Sequence, residues 1–206
     1  MKIKICGITN LDDALMCINE GADALGFILS DKSPRFIKTA DAGSIVSRLP
    51  FFIHKVGVFV DIDAGEVNET AKRIGLNGVQ LHGNELPEYI SEINLPVIKS
   101  FRIKDTFDFT KFAAYNNCTF LLDNYSNQTI GGTGTSFNWN LIPVCLKPKI
   151  ILAGGISASN IETILRTIKP QAVDLSSSLE SVPGKKDPVK VKEFFKIYNR
   201  LKADLC

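Results

Sequence analysis

The sequence predicts a single (β/α)8 barrel with short loops, residues 1–206 forming one domain, and three observations carry that prediction. Eight short apolar runs read as strands, and most of them barely alternate, as befits parallel strands covered on both faces. Amphipathic stretches separate the runs. The strand starts recur roughly every 24 residues, close to the shortest βα unit, and eight right-handed units close on themselves. An open doubly wound sheet is the alternative. The barrel is preferred because eight regular units occur and none carries a dinucleotide fingerprint.

The first strand spans residues 3–6. Asn10 then caps a helix over 11–20 that Gly21 stops. Strand two, 24–27, leads into a long segment, 30–37. Strand three is 55–59, after which Val67, Ala71 and Ile74 share one helical face. Strands four and five are 78–81 and 97–101. The helical patterns near 109–115 and 139–144 are the poorest; between them lie strand six, 120–123, and a long helix-free segment, 124–138. Strand seven is 150–153. Ser159 is expected to cap a helix over 160–168, with Pro170 after its end. Strand eight, 173–175, precedes a third long segment, 176–186. The last helix opens at Asp187-Pro188, with Phe194, Phe195 and Leu201 as apolar anchors. The three long segments all follow strand C-termini, the face on which barrel active sites sit.

Composition narrows the function classes. A net charge of +2 on 206 residues argues against a nucleic-acid or membrane-surface partner. No apolar run is long enough to cross a bilayer and the N-terminus has no apolar signal core, so a cytoplasmic protein is expected. Five cysteines, an odd number without a CxxC pair, and two histidines give no disulfide framework and no metal site. No conspicuous extra apolar face stands out, which points to a monomer, with a homodimer also compatible.

Candidate chemistry gathers at the strand ends. Cys6 closes the first strand; over a barrel mouth its thiol could act as nucleophile or base, against the alternative of a small buried apolar residue. Asp123 closes the sixth strand and serves either as acid or base or as a turn cap. Asp174, inside the eighth strand, needs a partner or a task. Lys4 shares the parity of Cys6 and explains Asp174 as well as a substrate contact does. Gly154-Gly155 and Ser176-Ser177, in adjacent units, suit a phosphate, because small residues let backbone N–H groups approach and hydroxyls add donors. Gly132 and Gly134, in Gly131-Gly132-Thr133-Gly134-Thr135, form either a further wall of that site or a merely flexible loop. Arg35 could take a substrate carboxylate bidentately or be simply solvated. His82 is a ligand contact, a second acid or a hydrogen-bonded loop histidine.

Together these residues identify a family. Lys4-Ile5-Cys6-Gly7-Ile8-Thr9, Ser33-Pro34-Arg35, Val56-Gly57-Val58-Phe59, Val79-Gln80-Leu81-His82-Gly83, Leu122-Asp123, the 131–134 glycines with Phe137-Asn138-Trp139, Leu152-Ala153-Gly154-Gly155-Ile156, Val173-Asp174-Leu175-Ser176-Ser177 and Pro183-Gly184-Lys185-Lys186-Asp187 follow one another in order and spacing. The chain thereby resembles the phosphoribosylanthranilate isomerases. The resemblance implies a (β/α)8 barrel that performs an Amadori rearrangement in tryptophan biosynthesis. It makes Cys6 the general base, Asp123 the general acid and Arg35 the partner of the anthranilate carboxylate, with phosphate held around Gly154-Gly155 and Ser176-Ser177. The substrate supplies its own electron sink, so no cofactor is expected. Two departures stand out: Ser178 where the family often has Gly, and Asn138 where it often has an acid. Two rivals remain: a barrel aldolase or synthase using Lys99 for a Schiff base, and a phosphometabolite-binding protein without catalysis.

Overall fold

The computed structural model describes residues 1–124 and 137–204. Eight parallel strands close into a barrel in chain order. They are β1 (Lys2–Cys6), β2 (Ala24–Ile28), β3 (His54–Phe59), β4 (Gly78–Leu81), β5 (Val97–Ile103), β6 (Cys118–Asn124), β7 (Ile150–Leu152) and β8 (Ala172–Leu175). The helices between them are α1 (Leu11–Glu20), α2 (Thr39–Val46), α3 (Ala64–Ile74), α4 (Pro87–Ile90) and α5 (Ile161–Thr163), which continues as a wider π turn through Ile168. After β8 a short hairpin, β9 (Glu180–Val182) with β10 (Lys185–Lys186), leads into α6 (Pro188–Asp204).

Local chemistry accounts for most boundaries. The Asn10 side chain accepts from the Asp13 N–H and opens α1, and Gly21 ends it with φ of 122°. In α3, Ala64, Val67, Ala71 and Ile74 form the buried face. Asp187 caps α6 by accepting from the N–H groups of Val189 and Lys190, and Phe194, Phe195 and Leu201 are buried as expected. The cap expected of Ser159 is not formed: its hydroxyl meets that of Ser157, and α5 begins at Ile161. Asn160 turns backward instead, accepting from Ser157 N–H and donating to Gly155 O. The two poorest helical patterns become 3-10 turns, Phe109–Ala114 and Trp139–Leu141. The first owes its place to an aromatic cluster, in which Phe112 packs on Phe101 and Phe120 at centroid distances of 4.7 and 4.3 Å.

A large apolar core fills the space between strands and helices. A smaller one, Leu121, Ile151 and Ala153 with Ile98 and Ala172, fills the barrel interior. Side chains alternate along a strand, so the parity that puts Leu121 inside also turns Asp123 inward, one step nearer the C-terminal mouth. Register does the rest: Cys6 pairs with Gly26, and Lys4 with Asp174.

The expectation of no extra apolar face meets one exposed apolar pair. Phe51 and Phe52, just before β3, are 84% and 93% exposed, with their rings edge to face. Phe52 borders a second cavity, at the N-terminal end of the barrel, that Ile18, Ile53 and Val97 also line.

Candidate active site

An open cavity of about 770 Å³ occupies the C-terminal mouth of the barrel. Cys6, Arg35, His82, Asp123, Gly154, Gly155, Asp174, Ser176 and Ser177 all line it, together with Gln80 and Ser178. Residues distant in sequence thus meet in one place, because each ends or follows a strand at the same face. Gly132, Gly134 and Cys206 lie outside the described residues.

Four of the described residues' buried polar atoms without a hydrogen-bond partner belong to this lining: Gln80 Oε1, Asp174 Oδ1, Ser176 Oγ and Ser178 Oγ. Buried polar groups are normally satisfied, so this cluster marks a surface built to receive a polar ligand.

Asp123 is 7% exposed, and burial pushes its carboxyl up to about 6. The Asn124 N–H, which donates to Oδ1 at 2.8 Å, pulls the other way. Asp174 adds to the rise while Arg102 and Lys4 oppose it, so the setting is dry rather than free of charge. His82 Nε2 stands 3.6 Å from Asp123 Oδ2. Burial first, then Arg102, Lys4 and Lys99, lower the ring to about 3, so the imidazole is neutral. With Gln80 Nε2 donating to Nδ1 at 2.9 Å, the proton sits on Nε2, toward Asp123. Gly154 closes this corner. Its φ is +80°, and a Cβ there would lie 2.7 Å from Asn124 N and 2.9 Å from Asp123 Oδ1.

Cys6, at the end of β1, is buried in the same lining. Burial pushes its thiol up; Lys4 and Lys186 pull it down, and Asp174 pushes it up again. Arg35 is held as a fork by Glu180: Nε lies 3.0 Å from both carboxylate oxygens and Nη2 2.8 Å from Oε2. That pair accounts for the arginine's burial and leaves Nη1 for a ligand. Glu180 also binds Lys186 Nζ at 2.9 Å, and that ammonium donates to Cys6 O at 2.7 Å. The hairpin therefore ties the Arg35 segment to the end of β1. Glu180 and Lys186 were not singled out from sequence. They lie 145 and 180 residues from Arg35 and Cys6, and the only signal was the resemblance carried by residues 183–187.

Asn138 accepts from Asn140 N–H and caps a 3-10 turn, work that Asn and Asp do about equally well, so its departure has a benign reading. Ser178 Oγ is buried and unpaired at the mouth, adding a hydroxyl to the wall. Lys99 is 2% exposed and committed to Glu85 Oε2 at 2.7 Å and Gly83 O at 2.8 Å, away from the cavity lining, which removes the lysine a Schiff-base rival needs. Among the described residues no group of three or more metal-ligating side chains converges, and no helix is long and apolar enough to cross a membrane.

Comparison with known proteins points one way. The family model for N-(5'-phosphoribosyl)anthranilate isomerase matches residues 3–197. Relatives of that name include one from Geotalea uraniireducens, 50% identical over 95% of this chain and 97% of its own. Another is from Pelobacter propionicus, 43% identical over 99% and 98%. Among solved structures, the phosphoribosyl anthranilate isomerase of Thermus thermophilus superposes with a TM-score of 0.87 at 36% identity, covering 98% of this chain and 100% of that one. An isomerase in complex with reduced 1-(o-carboxyphenylamino)-1-deoxyribulose 5-phosphate gives 0.86 at 36%, covering 97% and 99%. The Thermotoga maritima isomerase, described as dimeric and solved as generated monomers, gives 0.84 at 34%, covering 97% and 98%.

Proposed function

We propose that Cys6 and Asp123 are the base and the acid of an isomerisation, from the premise that the chain belongs to the N-(5'-phosphoribosyl)anthranilate isomerase family. The chain is an enzyme of tryptophan biosynthesis that converts N-(5'-phosphoribosyl)anthranilate to 1-(o-carboxyphenylamino)-1-deoxyribulose 5-phosphate. The single observation that carries the mechanistic reading is the shared mouth. A thiol and a carboxyl whose proton affinities burial raises line one cavity whose wall keeps four unpaired polar atoms.

The chemistry uses the tautomer with the proton on Asp123 and the thiolate on Cys6. Protonated Asp123 gives its proton to the furanose ring oxygen as the C1–O bond breaks, and the anilino lone pair forms the C1=N iminium. That cation acidifies the C2 hydrogen, which the Cys6 thiolate removes. The resulting enolamine gains a proton at C1 and loses one from the C2 hydroxyl, giving the ketone. No net proton is consumed. His82, neutral with its Nε2–H toward Asp123, supports the carboxylate left after the first step. Arg35 takes the anthranilate carboxylate with Nη1, and Asp174 Oδ1 accepts from a sugar hydroxyl. Phosphate sits against Gly154-Gly155 and Ser176-Ser177, with Ser178 as an added hydroxyl. Gly132 and Gly134 would complete that grip from a segment outside the described residues.

We read the chain as one domain in the cytoplasm, where a substrate bearing a phosphate and a carboxylate is retained. Phe51 and Phe52 beside the N-terminal cavity favour a homodimer over the monomer expected from sequence.

The test is loss of substrate fluorescence, with substrate made in situ from anthranilate and phosphoribosyl pyrophosphate. Cys6→Ala and Asp123→Asn should each lower kcat by at least about 10²-fold with a modest change in KM. Near-normal turnover in either variant overturns the assignment of that residue.

A further inference from the structure

Lys4 has no part in the chemistry described so far, yet it is a charged residue in the middle of a barrel. Its neighbours give it a task. On β1 it lies two residues before Cys6, so both side chains point to the barrel interior. On the adjoining strand β2 stands Gly26, paired with Cys6. A Cβ placed on Gly26 would meet Cys6 Sγ at 2.7 Å and Lys4 Nζ at 3.1 Å. The sulfur and the ammonium therefore occupy the space that a side chain at 26 would fill. On the other side, β8 brings Asp174, whose Oδ2 binds Lys4 Nζ at 2.9 Å while Oδ1 stays unpaired.

We propose that Lys4 is a positioning residue whose ammonium, held in place by Asp174 and admitted by the missing side chain at Gly26, stabilises the thiolate of Cys6. The proposal deepens the reading of Cys6 as a base and rests on it.

Physical chemistry requires such a group. A thiol buried this deeply has its anion disfavoured by desolvation, and it acts as a base only as the anion. Among the described residues the charged and titratable groups around it include Arg35, which packs against Gly7 and lines the same cavity while forked to Glu180. Lys4 comes from β1, Asp174 from β8 and Lys186 from β10, while His82, just after β4, and Asp123 of β6 line the same mouth. Lys186 directs its donors to Cys6 O, Ser176 O and Glu180 Oε1, so it meets the backbone of Cys6 rather than the sulfur. Lys4 is the cation that shares space with the sulfur itself. Asp174 has two effects: it anchors Lys4, and its own negative charge works against the thiolate.

Those opposed effects give the experiment. The rate at which iodoacetamide alkylates Cys6 is followed against pH by peptide mass spectrometry in the full-length protein, with exposed Cys145 as internal reference. Lys4→Met should move the midpoint for Cys6 upward by about one pH unit or more, lowering its alkylation at pH 8 at least about tenfold. Asp174→Asn keeps an amide oxygen to anchor Lys4 while removing the negative charge, so it should move the midpoint downward. Cys145 should not respond to either change. If Lys4→Met leaves a buried carboxylate that prevents folding, Lys4→Met with Asp174→Asn removes both charges, and its midpoint should lie above that of Asp174→Asn alone. An unchanged Cys6 midpoint in a folded Lys4 variant, or shifts of the same sign in the Lys4 and Asp174 variants, overturns the proposal. Thiol ionisation is read without turnover. A failure here is therefore distinct from failure of Cys6 as the base, which the Cys6→Ala assay reports.

Discussion

The protonation states of Cys6 and Asp123 make a kinetic prediction that distinguishes this site from an ordinary acid–base pair. The productive form carries a proton on Asp123 and none on Cys6. Asp123 titrates at about 6, whereas burial lifts Cys6 above its ordinary 9.0. Between those values the prevailing form has its single proton on sulfur, and the productive form is the tautomer with that proton on the carboxyl. Because burial holds the thiol's proton more tightly than the carboxyl's, the productive tautomer is the minor one. Its fraction does not change with pH across the window, because both forms hold the same number of protons. Wild-type kcat/KM should therefore be flat, within about twofold, from pH 7 to 8.5. Asp123→Asn removes the second site of the exchange. Its residual activity then depends on the thiolate alone and should climb about 30-fold over the same 1.5 pH units, tenfold per unit. The fluorescence assay at substrate well below KM measures both, and the window lies above the phosphate ionisation near 6, which would distort lower values. A flat profile in Asp123→Asn would refute the reasoning. So would a wild-type profile that rises throughout, since the proton would then not be shared between these two groups.

The same carboxyl has a stability cost. An Asp123 raised from 3.8 to about 6 binds its proton more tightly folded than unfolded, so stability falls as pH rises through that window and the full cost of about 3 kcal/mol is present above it. Asp123→Asn should thus be more stable than wild type in urea at pH 7, and the gain should vanish near pH 4; equal stability at both pH values would contradict a buried, raised carboxyl. Arg35→Ala should raise KM more than it lowers kcat, and the carboxylate role is lost if KM is unchanged; its fork to Glu180 predicts the same direction for Glu180→Gln. Phe52→Asp should convert a dimer into a monomer in sedimentation equilibrium with the site intact, whereas a wild type already monomeric at tens of micromolar removes the role given to Phe51 and Phe52.

Much of the barrel was legible because its signals are local. Apolar runs, the Asn10 cap, the helix opening at Asp187-Pro188 and the Gly21 stop each act within a few residues, and all reappear in the structure. The elements read least well are those whose form is decided elsewhere. The segment from Phe109 to Ala114 is a 3-10 turn because Phe112 is claimed by Phe101 and Phe120 of two strands, and no pattern inside the segment reveals that. Ser159 has the right chemistry for a cap, but Asn160, one residue on, uses both ends of its amide to brace Gly155 and Ser157, and the helix starts after it.

The candidate site divides along the same line. Strand-end position brought Cys6, Asp123, His82 and Asp174 to one mouth without knowledge of any contact, since parity and the common C-terminal face suffice. What parity does not convey is which charges meet. Arg35 reads from sequence as a free fork, yet it arrives already gripped by Glu180, and that grip aims the guanidinium. Glu180 reads as nothing, yet it joins Arg35 to Lys186 and so to the backbone of Cys6. The two ends of a substrate that needs both a carboxylate partner and a base are thereby held by one buried carboxylate. Loosening it should disturb binding and proton abstraction together, a coupling that neither segment contains on its own.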